Sequence, residues 1–386
     1  MSLNNINLND FKSSLFFGKL GGDIDGEALD DLSGYSVSLS GDGTTMAVGA
    51  PLNDGVDGLK SISGHVRVYK FFDGSWVQLG GDIDGDAAYD QSGVSVSLSD
   101  NGTIMAIGAP YNTGVNGSYS GHVRVYEMDA SNANGWVQVG GDIDGEDAYD
   151  QSGFSVSLSD NGKIVAIGAP RNGSKNSGHV RVYERDASKD TARTDATQSD
   201  FGPVGWNRVG GDIDGEDAYD KSGRSVSLSG DGTTVAIGAI YEGEFNEVYA
   251  CHVRVYERDA SKDTARTDAT QSDFGPVGWN RVGTDVVSED SVYGYGSGSG
   301  YSVSLSDNGK IVAIGAPYNT GVNGVYAGHV RVYERDASNE WVQLGGDIDG
   351  EAEYDWSGYS VSLSADGTIV AIGAIRHGSN SGHVRV

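Results

Sequence analysis

Six copies of one pentapeptide constrain this chain more than any other feature. SVSLS begins at Ser36, Ser95, Ser155, Ser225, Ser302 and Ser360, at intervals of 59, 60, 70, 77 and 58 residues. Self-similarity at a period of this length means one supersecondary unit stacked against its own copies, so that neighbours bury a continuous core. A length of 386 residues would otherwise suggest two or three domains.

Each SVSLS runs into an Asp-Gly or Asn-Gly pair, such as Asp42-Gly43 and Asn101-Gly102, and then into a second apolar run such as TIMAIGA. Those dipeptides supply the positive φ angles of a tight hairpin, which makes the two runs antiparallel neighbours. A third strand reads GHVRVY at Gly64, Gly121, Gly178 and Gly328, CHVRVY at Cys251 and GHVRV at Gly382. Period-two alternation puts Val66 and Val68 on one side, and His65, Arg67 and Tyr69 on the other. A fourth strand opens with Trp76, Trp136, Trp206, Trp279 or Trp341. The sixth copy ends at Val386 without one, while FGKLGGDIDG from Phe17 matches WVQLGGDIDG. These facts predict an all-β fold: a six-bladed β-propeller of four-stranded antiparallel blades, in which the N-terminal strand pairs with the last blade and leaves no open edge. The single domain spans 1–386. A strand within 1–24 completes the last blade, and the blades cover about 33–80, 92–140, 152–210, 222–283, 298–345 and 357–386.

Sixty glycines and six prolines suit many short strands and turns, with no Gly-X-Y period. The balance of 55 acidic against 26 basic residues, a net charge of −29, argues against a nucleic-acid partner, which needs a positive surface. Cys251 is the only cysteine, so no internal disulfide forms. No stretch is apolar for long enough to insert in a membrane as a helix. No basic segment followed by an apolar run, as in a signal peptide, is visible at the N-terminus. Composition leaves the oligomeric state open.

The run SG-x-SVSLS … GAP … G-x-V-x-V-Y resembles the FG-GAP repeat, the blade of integrin α-subunit propellers and of many surface proteins. Gly-Ala-Pro stands at 49–51, 108–110, 168–170 and 315–317, and Ile240 and Ile375 replace the proline in two copies. The Phe-Gly element is degenerate, as in Ser33-Gly34-Tyr35, Ser152-Gly153-Phe154 and Ser222-Gly223-Arg224. The resemblance covers nearly the whole chain. It implies a non-catalytic binding or adhesion module at the cell surface or outside the cell. It also implies calcium in the first hairpin of a blade, but that hairpin is here cut to a Ser-x-Asn/Asp-Gly turn, too short for a cage of oxygens.

The acidic loops between blades form a second candidate calcium site. They carry carboxylates at positions one, three, five and nine, on a chain that glycine lets turn sharply. These are Asp23, Asp25, Glu27 and Asp31; Asp82, Asp84, Asp86 and Asp90; Asp142, Asp144, Glu146 and Asp150; Asp212, Asp214, Glu216 and Asp220; and Asp347, Asp349, Glu351 and Asp355. The competing reading has them capping turns and pairing with the arginines of the third strands. The fifth copy departs, reading GTDVVSEDSVYGYGSGSG. The histidine of each GHVRV is expected to serve blade packing, since equivalent positions on separate blades are too far apart to share one ion. The identical segments 180–210 and 253–283 record the duplication of a blade, with an exposed extension before its tryptophan strand.

Strand order gathers the acidic loops and the connections between second and third strands on one face of the disc. Tyr111, Tyr119, Tyr241, Tyr249, Tyr318 and Tyr326 lie there among polar residues, a composition suited to a protein or glycan ligand. The alternatives are a structural coat or matrix repeat and, with no residue to support it, an enzyme.

Overall fold

The computed structural model describes residues 20–55, 61–173, 176–190, 203–240, 251–263, 276–287, 297–377 and 382–386. The expected architecture is present: six small antiparallel sheets set in a ring as a six-bladed propeller. Blade one runs Ser36–Leu39, Thr45–Ala50, His65–Phe72 and Ser75–Gln78, each strand paired with the next. The Asp-Gly hairpin sets the first register, Ser36 opposite Gly49 and Leu39 opposite Met46. Blades two to five repeat this order.

One element differs from the sequence expectation. Part of each acidic loop is a short fifth strand: Ile83–Asp84 pairs with Val66 and His65, beyond the end of the tryptophan strand, and the same pairing recurs through blade five. The isoleucine of Asp-Ile-Asp is buried in blades one to three, and this burial draws the segment into the sheet. Blade six has three strands among the described residues, Ser357–Leu363, Val370–Ala374 and His383–Arg385.

The repeated serines join the blades at the hub. The first serine of SVSLS donates to a glycine carbonyl of the following blade: Ser36 Oγ to Gly93 O at 2.7 Å, Ser95 to Gly153 at 2.8 Å, Ser155 to Gly223 at 2.9 Å. The second accepts from a leucine N–H of that blade, Leu98 N to Ser38 Oγ at 2.9 Å and Leu158 N to Ser97 Oγ at 3.0 Å. These bonds hold the inner strands so close that the glycine of Gly-Ala-Pro admits no side chain. A Cβ on Gly168 would overlap both the Gly223 carbonyl and Ser155 Oγ. Further out the joint is apolar: Ala47, Val66, Val68 and Ile83 of blade one pack on Val96, Leu98, Met105, Ile107 and Trp136 of blade two. Each such side chain contributes about 1.5–3 kcal/mol when fully buried.

Tryptophan Nε1 groups tie blades two, four and five to their predecessors, Trp136 to Leu79 O at 2.9 Å, Trp279 to Val209 O at 3.2 Å and Trp341 to Val282 O at 3.0 Å. Trp76 makes the same bond to Leu20 O at 2.9 Å. The N-terminal segment therefore meets blade one as the end of a preceding fourth strand would. Phe17, the expected start of that strand, lies outside the described residues, and Leu20–Ile24 forms no ladder with His383–Arg385. The joint between blades six and one is the least covered of the six. Val37 and Leu39 are 61% and 55% exposed where Val96 and Leu98 are 9% and 7%, and Val384 is 69% exposed where Val66 is fully buried.

The hub geometry predicts that Gly168→Ala lowers stability by about 1–3 kcal/mol in a denaturant melt, through forced separation of two blades. Gly22→Ala, with nothing within 4 Å of its added Cβ, should stay within about 0.5 kcal/mol.

Candidate functional site

Arginine organises the acidic loops. Arg67 is held in its third strand facing away from Val66 and Val68, and donates to both oxygens of Asp82, position one of its own blade's loop, at 2.8 Å each. Arg124 holds Asp142 in the same way at 2.8 and 2.7 Å, and Arg331 holds Asp347 at 2.8 and 2.7 Å. Gln78, Gln138 and Gln343 add one bond each to the same carboxylates. Position five belongs to the next blade: Glu27 pairs with Arg67, Asp86 with Arg124, Glu146 with Arg181 and Glu216 with Arg254. One guanidinium thus bridges two consecutive loops, and the bidentate fork suits arginine better than lysine.

The remaining carboxylates divide. Position nine is buried: Asp31, Asp90 and Asp150 each accept from the N–H three residues back and from Asn53, Asn112 or Asn172 Nδ2 at 2.9–3.0 Å. Asp220 and Asp355 cap their loops alike. Position three lies in the fifth strand, Asp84 opposite His65, Asp144 opposite His122, Asp214 opposite His179 and Asp349 opposite His329. Burial and the adjacent Asp142 raise the Asp144 carboxyl, and burial with Asp212 does so for Asp214. Asp23 and Asp25 stand in the N-terminal segment. Among the described residues, every set of three potential ligand atoms within 4.8 Å of one another includes a histidine. Examples are His122 with Asp142 and Asp144, and His179 with Glu146 and Asp212. The four carboxylates of a loop therefore go to different partners, two of them to arginines. The histidines of GHVRV also face carboxylates as well as filling their blades.

A second feature lies on the axis. The variable residue of each SG-x-SVSLS stands at the entry to an innermost strand, on the face that carries the long loops: Tyr35, Val94, Phe154, Arg224, Tyr301 and Tyr359. The Arg224 guanidinium lies 4.5 Å from the Phe154 ring centre and 4.1 Å from that of Tyr301. Tyr301 and Tyr359 are 4.8 Å apart, and burial with the hydrogen-bonded Tyr301 pushes the Tyr359 hydroxyl up to about 12. Burial raises Tyr35 as well, with Tyr359, Arg224 and Tyr111 close enough to act on it. The result is an aromatic mouth around one cation. In the sequence this position reads as part of a degenerate Phe-Gly element. Its variability inside an otherwise constant motif was the available signal.

The expected tyrosines extend the mouth outward. Tyr111, Tyr119 and Tyr149 form one edge-to-face chain at 5.9 and 5.8 Å. Tyr318 contacts Tyr301 and Trp356 at 5.6 and 5.2 Å, and Tyr326 bridges Tyr318 to Tyr354. Tyr241 and Tyr249 lie outside the described residues. Tyr89, Tyr149, Tyr219 and Tyr354 are exposed, with φ of 70°, 71°, 69° and 63°. Holding a tyrosine in the left-handed region costs about 1–2 kcal/mol. Backbone bonds such as Tyr89 N to Ser61 O offset that cost.

The buried histidines fix the acid side of the stability profile. Burial, with Arg181 and Arg208 nearby, holds His179 well below its usual 6.5, and burial lowers His65 and His122. A base depressed in the fold takes up its proton first in the unfolded chain. Its contribution is complete above about pH 6.5 and is lost as pH falls below that value. The arginine-held acids act lower: bonds from Arg331 hold Asp347 at about 2, and their contribution fades as pH falls below 3.8. The melting temperature should be level above about pH 7 and fall in two stages, first with the histidines and then with the acids. A single fall confined to the carboxylate range would contradict this assignment.

No protein-family model matches the chain, and no curated protein matches its sequence. Among solved structures, the chain is similar to the hydrazine synthase of Kuenenia stuttgartiensis. The two share 14% identity, with 94% of this chain and 99% of that chain covered, at a TM-score of 0.45.

Proposed function

We propose that the chain is a non-catalytic binding module that recognises a protein or glycan ligand through the axial mouth and the surrounding loops. The observation that carries this reading is the concentration of variation. Hub serines, Gly-Ala-Pro glycines and rim arginines recur from blade to blade, while the SG-x position changes and assembles aromatic rings around Arg224. Aromatic side chains offer large contact area at low entropic cost, and Arg224 supplies one directed charge. The resemblance to FG-GAP surface repeats supports the same reading. A spacer in a coat or matrix would need the hub and rim but not this mouth. The test is an array of glycans and immobilised extracellular proteins, probed with wild type and Arg224→Ala at matched melting temperature. The expected result is a bound class whose affinity falls about tenfold or more in the variant. Equal binding by both, or no ligand of either class, would favour the spacer.

Calcium bracing of the acidic loops is a second reading, and the raised carboxyls of Asp144 and Asp214 favour it. A divalent ion over either pair would relieve the repulsion that the arginines leave uncompensated. Calcium added to chelator-treated protein should then raise the melting temperature, and magnesium less so. An unmoved melting curve at millimolar calcium would leave the arginines as the only partners of these loops.

A further inference from the structure

Blade six departs from blades one to three in the loop after its second strand. In blades one to three the asparagine after Gly-Ala-Pro-x, Asn53, Asn112 or Asn172, donates to the buried position-nine aspartate. In blade six that place is taken by His377, the one histidine of seven outside a GHVRV strand. Its Nδ1 lies 3.0 Å from Asp355 Oδ2, so the asparagine's bond is kept by an imidazole. An ionised carboxylate only accepts, so Nδ1 carries the proton and Nε2 presents a lone pair. His383, from the third strand, meets His377 at 4.0 Å between ring centres. Glu351, from the loop of blade five, completes a set whose three ligand atoms lie within 4.8 Å of one another.

Three contrasts separate this cluster from the sets in the other blades. It has two imidazoles where each of the others has one. Its carboxylate is held loosely, Glu351 to Arg385 at 3.8 Å, whereas Arg181 holds Glu146 at 3.2 Å and Arg124 holds Asp142 at 2.7 Å. The third difference is the backing of Asp355, 2% exposed, which fixes the ring of one ligand from behind. A carboxylate behind a ligating histidine is the usual outer support of a transition-metal site.

We propose that Glu351, His377 and His383 bind one divalent transition-metal ion of the zinc class, with Asp355 as the positioning residue. Two nitrogens and one carboxylate oxygen leave a fourth position for water. Tetrahedral bonds of about 2.0–2.1 Å place ligand atoms roughly 3.4 Å apart, which small rotations of half-exposed side chains can reach. The ion would tie the third strand of blade six and the loop before it to blade five. This site shares no residue with the axial mouth, and imidazole ligands disfavour calcium.

The test is calorimetric titration of the full chain with zinc chloride after chelator treatment, followed by melting with and without zinc. One equivalent of zinc should bind and raise the melting temperature. His377→Asn restores the residue that blades one, two, three and five carry, so it should fold normally while binding zinc about tenfold more weakly or worse. Glu351→Gln should weaken binding too, and Glu146→Gln, in a one-histidine set, should leave it unchanged. Absence of zinc uptake at micromolar concentration, or uptake that persists in a folded His377→Asn protein, would overturn the proposal.

Discussion

Close approach of six innermost strands at the hub is the constraint on which the rest of the structure depends. Neighbouring blades do not share a ladder there, so each inner strand turns one row of backbone groups toward a strand it does not pair with. Buried amides and carbonyls without partners would cost about 1–3 kcal/mol each. The serines meet that demand from both directions, one donating to a glycine carbonyl and one accepting a leucine amide. Their small size lets the strands come close, and the glycine of Gly-Ala-Pro removes the one Cβ that would keep them apart. The sequence repeats SVSLS so strictly because each copy in blades two to five is half of two joints.

The rim solves a different problem with a different device. A chain with 29 excess negative charges concentrates many of them where blades meet. At three joints one arginine, Arg67, Arg124 or Arg254, takes a carboxylate from each side. The same residue therefore neutralises charge and links neighbouring blades. With hub and rim both occupied by recurring contacts, the positions free to vary are those that open onto the axis and the loop face. The aromatic mouth stands at those positions, and this division of labour is what makes a binding role the natural reading of the fold.

Much of this was legible from residues alone, because turn dipeptides, period-two alternation and the tryptophan strands each carry a local signal. The ring of six sheets follows from them. The arginine partners were legible as one of two alternatives, since charge balance names possible pairs without ranking them. The fifth strand was hidden because Asp-Ile-Asp reads as a turn until the isoleucine finds a core to enter. The mouth was hidden for a spatial reason: Tyr35, Phe154, Arg224, Tyr301 and Tyr359 are scattered over more than three hundred residues and meet only when the ring forms. His377 was passed over because an asparagine replaced by histidine leaves no mark on strand periodicity. Its meaning depends on His383 and Glu351 arriving beside it.

The hub account is tested most directly by residue-resolved hydrogen exchange of five leucine amides, Leu98, Leu158, Leu228, Leu305 and Leu363. Each donates to a serine of the preceding blade and not to a strand of its own sheet. If the serine joints hold the ring, all five exchange as slowly as the amides of the buried second strands. Exchange as fast as that of the hairpin turns, in protein whose second strands remain protected, would show that the blades are not joined in this way.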